Sequence, residues 1–356
     1  MTPSLTNPLL SLTQLDRRAP ARTQEPFPVT GALRDRFGRV MNDLRLSITD
    51  KCNFRCTYCL SPGATFLPTS DRLTTQELVR LGHLFARLGV QRLRLTGGEP
   101  TLHPELTTIL SELSPLFDDV SMTTNGSLLT DKNARAWKAA GLHRITISID
   151  SVDPVRFRNI TRSKVDSAVV IDGVRAAIGA GLHPVKVNAV LLAGVNEADA
   201  PALAALAREL DIEVRFIEFM PLDQDGGWSD RAVVQSKSTL QRISDVFTLV
   251  LEGRDRPDRT AVRYRFLDGA GGSVSTIAPV SEPFCGECSR IRVTTDGYVR
   301  PCLLARDEWP LLPLLRSNAS DRDLELAIRE AVWNKDQGGA LTMGPIGGRT
   351  MSAIGG

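Results

Sequence analysis

The sequence predicts an α/β fold built as a partial (βα)6 TIM-type barrel. Strand-like and helix-like segments alternate from about residue 36 to residue 225, which implies a parallel sheet with right-handed crossovers. Polar or functional residues also stand at or just past successive strand ends, at residues 50–52, 97–99, 123–125, 148 and 150, 186 and 188, and 218 and 220. Convergence of such groups on one mouth is the barrel pattern, whereas alternation alone also fits an open doubly wound sheet. Six units rather than eight leave the barrel open on one side.

The elements follow in order. Residues 43–49 (DLRLSIT) form a short β-like run. Residues 74–89 read as a helix: Thr74 and Glu77 have capping-box spacing, Leu78, Leu81, Phe85 and Leu88 share a face, and Gly89 is the stop. A strand over 92–96 precedes a helix near 104–113, and a strand over 119–124 precedes a helix near 131–140. A strand over 144–149, a helix ending near Ala180 and a strand over 184–191 come next. A helix carrying Leu203, Leu206 and Leu210 leads to the sixth strand, 213–219, with a further helix near 238–247. Beyond that the alternation fades. Residues 252–302 carry short β-like runs, an amphipathic helix is expected near 321–333, and the Gly-rich tail is expected to be hardly helical. The resulting division is a flexible extension at 1–33, rich in Pro, Thr and Ser, a barrel at 34–225, and a C-terminal region at 226–356.

Composition narrows function by exclusion. With 43 basic against 41 acidic residues the net charge is +2, so no global field draws nucleic acid or an anionic membrane. No apolar run approaches the ~18–20 residues of a membrane helix, and the first residues lack the basic and apolar regions of a signal peptide. The six cysteines fall into two tight triplets rather than a disulfide framework, which points to a reducing, cytoplasmic setting and a metal role.

The first triplet, Cys52, Cys56 and Cys59 in CNFRCTYC, follows a strand and sits at the barrel mouth. Four-iron clusters ordinarily take four thiolates, so three leave one iron open. Thr96-Gly97-Gly98-Glu99-Pro100 ends the second strand, where glycines allow close approach of a ligand and Glu99 could accept from an ammonium group. The second triplet is Cys285, Cys288 and Cys302, and implies another open iron. Beside it, Arg290 and Arg292 flank Ile291 and share one face of a strand, an arrangement suited to a polyphosphate. The competing arrangement is a tetrahedral zinc site from Cys56, Cys59, Cys285 and Cys288 in a non-enzymatic protein; it leaves Cys52 and Cys302 without a role.

The first triplet with GGEP resembles the radical S-adenosylmethionine (SAM) superfamily. The larger set, FGRVMNDLRLSITDKCNFRCTYC, RLTGGEP, TTNG, ISIDSVD, VKVNAVLLAGVN, VRFIEFMP, FCGECSRIRVTTDGYVRPCL and the terminal MSAIGG, resembles the GTP 3′,8-cyclase family of molybdenum cofactor biosynthesis. The resemblance runs from about Arg36 to Gly356, with Leu102-His103-Pro104 standing where that family commonly has Leu-Arg followed by another basic residue. It implies two [4Fe–4S] clusters, one on each triplet, and SAM on the first. SAM contacts carried over by motif fall on Tyr58, Gly98, Ser148 and Met220. GTP contacts fall on Arg45, Arg94, Thr123, Lys186, Arg290, Ile291 and Arg292, and the family's Gly-Gly end, Gly355 and Gly356 here, is expected to reach into the site. The implied chemistry is abstraction of hydrogen from C3′ of GTP by the 5′-deoxyadenosyl radical, followed by attack of C3′ on C8. No acid–base residue is required by the motifs. A reducing electron donor and a downstream cyclic pyranopterin monophosphate synthase are the implied partners, and the chain is expected as a monomer or homodimer. The enzyme alternative is a radical SAM peptide or protein maturase with an auxiliary cluster, which usually carries more C-terminal cysteines.

Overall fold

The computed structural model describes residues 26–222, 227–305, 307–338, 349 and 351–355. Six parallel strands pair in chain order: β1 (Asp43–Ser47), β2 (Arg92–Thr96), β3 (Asp119–Thr124), β4 (Arg144–Ser148), β5 (Val185–Leu191) and β6 (Glu213–Glu218). Between them lie α1 (Thr75–Arg87), α2 (Leu106–Leu113), α3 (Asp131–Ala139), α4 (Pro154–Thr161), α5 (Ser167–Gly179) and α6 (Ala200–Leu210). Period-2 alternation explains the layering. On β1, Leu44 and Leu46 are fully buried in the core, while Arg45 lines the interior cavity.

Later elements extend this sheet at both edges. After α7 (Ser236–Ser244) come β7 (Leu249–Gly253), β8 (Val262–Phe266), β9 (Ser273–Ile277), β10 (Arg290–Val293), β11 (Tyr298–Arg300) and β12 (Trp309–Pro310). Strand β9 pairs parallel with β6, and β10 pairs parallel with β1. Eight parallel strands therefore run β10-β1-β2-β3-β4-β5-β6-β9, with antiparallel strands outside them. Strands β9 and β10 are not paired with each other, so the barrel stays open there. Residues 278–289 connect the two edges and carry Cys285 and Cys288.

Local signals account for the helix ends. Thr74 and Glu77 form the reciprocal capping box, and Gly89 turns the chain at φ +89°. Ser320 and Asp323 do the same at α9 (Asp321–Trp333), which follows the short α8 (Leu312–Leu315). Helix α4 is an addition to the expected elements. Its signal is local: the Asp153 side chain accepts from Arg156 N, and Pro154 occupies the first turn. The tail also differs from expectation, because Met351–Ile354 forms one helical turn, α10.

Of the segment read as a flexible extension, residues 1–25 lie outside the described residues. The packed chain begins before residue 34. Leu33 is 1% exposed within the core, Met41 N donates to its carbonyl at 2.8 Å, and Arg329 donates to Gly31 O at 2.8 Å. Leu33→Ala is expected to lose about 2–5 kcal/mol through the cavity it leaves. Urea unfolding checks this; a loss below ~0.5 kcal/mol marks the segment as merely adherent.

Candidate active site

The mouth of the barrel holds a cavity of about 330 Å3 lined by all six cysteines. It is also lined by Tyr58, Gly98, Ser148 and Met220 and by Arg45, Arg94, Thr123, Arg290 and Arg292. An adjoining polar cavity of about 240 Å3 lies deeper and shares Arg45, Arg94 and Arg290 with the first.

The two sequence motifs of the first end are built against each other. Gly98 N donates to Thr49 O and Glu99 N to Lys51 O, both at 2.7 Å. A Cβ on Gly98 would stand 2.4 Å from Lys51 O, and one on Gly97 (φ +147°) 2.2 Å from Thr49 O. The neighbour that requires these glycines is the backbone leading into the cysteine loop, rather than a ligand alone. Glu99 is likewise committed within the protein. Its buried carboxylate accepts from Thr101 N, Thr101 Oγ1 and Thr124 Oγ1, and from Asn125 N at 2.6 Å. It is an organiser of the β2 and β3 ends, and burial raises its pKa.

Within the loop, Cys59 N donates to Cys56 O, and Cys288 N donates to Cys285 O in the same turn of the second motif. All six thiols are free of disulfides. Burial pushes Cys52 up to about 11 and Cys59 up to about 12, the latter helped by charge on Cys52 and Asp150. Such thiols become thiolates only beside compensating positive charge. Among the described residues no three His, Cys, Asp or Glu side chains are gathered as a ready-made site for a single ion. The donor chemistry fits an iron–sulfur cluster: three unpaired sulfurs on one loop, with Phe54 N 3.4 Å from Cys52 Sγ and the Ser352 amide donating to Cys59. Tyr58 donates to Asp150 at 2.8 Å, and Asp150, which also accepts from Val190 N, is lifted to about 6 by burial.

The second loop is held from three sides. Glu218 at the end of β6 accepts from Ser236 N, Val280 N, Ser281 N and Ser281 Oγ, fixing the connection that spans the open side. Arg39 donates to Cys285 O at 2.8 Å. Arg300 holds the turn after Cys302 through Leu303 O, at 3.1 and 3.3 Å. Burial raises the Cys288 thiol, but the charges of Lys335 and Arg290 outweigh it and bring it to about 6.

Register decides the charge pattern. Arg45 is level with Arg292 on one neighbouring strand and with Arg94 on the other. Three guanidinium groups thus stand abreast on adjacent strands, only ~4.8 Å apart in backbone spacing. Among the described residues none of them, nor Arg290, has a carboxylate partner. Arg94 donates to Thr123 and Thr146 hydroxyls at 3.0 and 3.2 Å, Arg290 lies over the Phe284 ring, and Arg292 donates to Gly355 O. Among the described residues the buried atoms Arg45 Nε and Asn188 Oδ1 have no hydrogen-bond partner. Burial, with mutual repulsion adding to it, pulls the pKa of Arg45, Arg94 and Arg292 down.

Two carried-over residues are placed differently. Lys186 lines the deeper cavity and pairs with Glu213 at 2.5 Å. Burial, then Arg215, lowers its ammonium to about 8. Ile291 is wholly buried with its side chain in the core, because it alternates with the two arginines. Gly356 lies outside the described residues, but Gly355 is placed at φ +72°, where a Cβ would stand 2.6 Å from Thr96 Oγ1. Met351 and Ser352 line the cavity, and Arg349 anchors the tail through Asp296 and Glu308, each at 2.9 Å. The sequence reasoning missed Arg215, which lines both cavities from β6 and was legible from its alternation with the core residues Val214 and Phe216. It also missed Asp150 as a partner for Tyr58, and Lys335, for which no local pattern exists.

Residues 46–207 match the radical SAM superfamily, and residues 212–341 match the molybdenum cofactor synthesis C family. A protein of Paenarthrobacter nicotinovorans named GTP 3′,8-cyclase is 44% identical over 345 residues, covering 90% of this chain and 96% of that one. The chain belongs to the GTP 3′,8-cyclase family. Its relatives of that name include one from Streptomyces coelicolor, 42% identical with 90% and 96% covered, and one from Mycobacterium sp. (strain KMS), 41% identical with 98% and 100% covered. Among solved structures, Streptococcus suis SuiB bound to precursor peptide SuiA aligns at TM-score 0.61 with 12% identity, covering 85% of this chain and 67% of that one. The anSMEcpe structure with bound AdoMet aligns at 0.52 with 16% identity, covering 81% and 79%. These likenesses show the radical SAM fold. In this member of the cyclase family, Gly355→Ala is expected to lift the tail from Thr96. Hydrogen exchange at Ser352 and Ala353 should then quicken at least ~tenfold, with strand protection retained; unchanged exchange means the tail is held elsewhere.

Proposed function

We propose that the chain is a radical SAM GTP 3′,8-cyclase, of the lyase class, acting in molybdenum cofactor biosynthesis. This reading rests on the row Arg292–Arg45–Arg94, which lines the cavity shared by both thiol triplets and has no carboxylate partner among the described residues. Unpaired buried guanidinium groups are costly until a polyanion arrives, and planar forks match phosphate oxygens bidentately. Lys186 and Arg215 lie past the row in the deeper cavity, where the single carboxylate of Glu213 offsets part of their charge.

Cys52, Cys56 and Cys59 would hold an iron–sulfur cluster that, with SAM, would supply a 5′-deoxyadenosyl radical as the hydrogen-atom acceptor. The net change in this reading is loss of the C3′ hydrogen atom to that acceptor, closure of the C3′–C8 bond, and uptake of one electron from the reducing donor and one proton by the guanine ring. This chain's residues position the reactants. Tyr58, Gly98, Ser148 and Met220 line the SAM end. Thr123 and the arginine row hold the nucleotide so that C3′ faces that end, which converts the encounter into an oriented one. Cys285, Cys288 and Cys302 would hold a second cluster, and an iron without a fourth thiolate would supply a coordination site for the guanine base. The tail, through Gly355 on Arg292, closes the cavity beside both. A reducing electron donor, a cytoplasmic location, a monomer or homodimer, and delivery of product to a cyclic pyranopterin monophosphate synthase complete the reading. No helix among the described residues is long and apolar enough to cross a membrane.

The peptide-maturase alternative is not favoured by fold likeness at 12% identity, because such likeness carries no substrate. With reductant and SAM under anaerobic conditions, GTP deuterated at C3′ should yield 5′-deoxyadenosine carrying one deuterium. Formation that does not depend on GTP contradicts the cyclase. Arg290→Ala should raise the KM for GTP roughly tenfold or more, the loss of a charge-assisted contact worth about 1.5–3 kcal/mol, with the first cluster's absorption intact; unaltered GTP kinetics contradict its role.

Lys186 gives a pH signature. In the free protein it is protonated below about 8 and neutral above. A bound phosphate favours the ammonium, so binding takes up a proton. GTP affinity should therefore weaken as pH rises above about 8, and Lys186→Met should remove that slope. Anaerobic calorimetry in buffers of different ionisation enthalpy reads both quantities, and a slope retained in Lys186→Met assigns it to another group.

A further inference from the structure

Lys335 lies two residues past α9 and is 2% exposed. Among the described residues it has no carboxylate partner. Its ammonium donates to Arg290 O at 2.5 Å and lies 3.4 Å from Cys288 Sγ and 3.4 Å from Met41 Sδ. A buried ammonium needs an anion, and the group placed to supply it is the Cys288 sulfur. Its place is tightly set. Arg39, paired with Asp35 at 2.6 Å, donates to Asp336 O at 2.6 Å and Gln337 O at 2.8 Å, immediately after Lys335. The same guanidinium donates to Cys285 O. Two cations therefore grip the second cysteine loop from behind, one at its backbone and one at its sulfur.

We propose that Lys335 is a positioning residue of the second thiol site: it holds Cys288 as a charge-paired ligand and pins the start of β10, the strand that presents Arg290 and Arg292 to the substrate. The inference rests on the reading of Cys285, Cys288 and Cys302 as cluster ligands. A cation donating to a ligating sulfur favours the more negative, reduced state of the group that sulfur holds. Its removal lowers the reduction potential of the second site only, because the first triplet has no contact with it. The Arg290 carbonyl loses its donor at the same time, so the lost charge and the loosened strand both weaken GTP binding.

The test uses the full chain, reconstituted anaerobically, as wild type, Lys335→Met and Lys335→Arg. Iron and sulfide are counted, and each cluster's midpoint potential is followed by electron paramagnetic resonance in the presence and absence of SAM. Wild type should carry about eight irons. In Lys335→Met the second cluster's midpoint should fall while the first stays fixed, and the KM for GTP should rise several-fold; Lys335→Arg should sit close to wild type. If Lys335→Met instead loses half its iron, recovery of that iron in Lys335→Arg supports the role, and failure of both variants to hold it overturns a role for charge. A Lys335→Met protein with both clusters and an unmoved second potential also overturns it. Wild type with iron for one cluster only sinks the two-cluster reading, and this inference with it, an outcome distinct from failure of the Lys335 role alone.

Discussion

Like charges on neighbouring strands repel, and Arg292, Arg45 and Arg94 stand level on three of them. Nothing in folding rewards that placement. The same lumen shows how the chain treats a cation it means to neutralise. Glu213 holds Lys186 at 2.5 Å and Arg215 at 2.8 Å, and Asp119 holds Arg144 at 2.5 Å. The unpaired row is thus a local conflict of the kind that marks a functional site. It gives the cavity its sign, and the surrounding structure is arranged to keep it aligned.

The alignment depends on the sheet being parallel and extended at both edges. β10 brings Arg292 alongside Arg45 only because the chain leaves β9, crosses the open side and re-enters next to β1. Glu218 ties down that crossing through Val280 N, Ser281 N and Ser281 Oγ, and joins it to α7 through Ser236 N. On the opposite flank, Gly97 and Gly98 let the β2 end lie against the backbone that leads into Cys52. The tail then enters between the two thiol loops, with Ser352 donating to Cys59 and Gly355 accepting from Arg292. One cavity therefore joins the sulfur ligands and the arginines through backbone contacts that single side-chain changes at the surface do not reach.

The barrel and the thiol loops were legible because they are local. Strand ends could be read from alternation and from the polar residues after them, and both Cys-x-x-Cys turns are set within four residues. Pairings between distant segments were not legible. Neither the union of β10 with β1 nor the absence of pairing between β9 and β10 follows from periodicity, since both depend on a connection that crosses the fold. The same limit explains individual residues. Ile291 shares a motif with two site arginines, yet strand alternation turns it into the core. Lys186 was grouped with the arginines, but its place next to Glu213 is a matter of register between β5 and β6. Glu99 reads as a ligand for an ammonium, and its hydrogen bonds to the β3 end come only with the fold. Helix α4 buries only Phe157 and Ile160 as apolar side chains, too few to set a helical period, although Asp153-Pro154 is a fair start signal.

On the proposed function, the arginine row binds the phosphates of the substrate, and this charge match dominates recognition. Anaerobic titration of the reconstituted protein with GTP and with guanosine, at low and at moderate salt, tests it most directly. The row predicts strong binding of GTP, guanosine weaker by at least about a hundredfold (~2.7 kcal/mol), and a GTP affinity that falls only modestly with salt because the cations are shielded from solvent. Equal affinity for GTP and guanosine would contradict it.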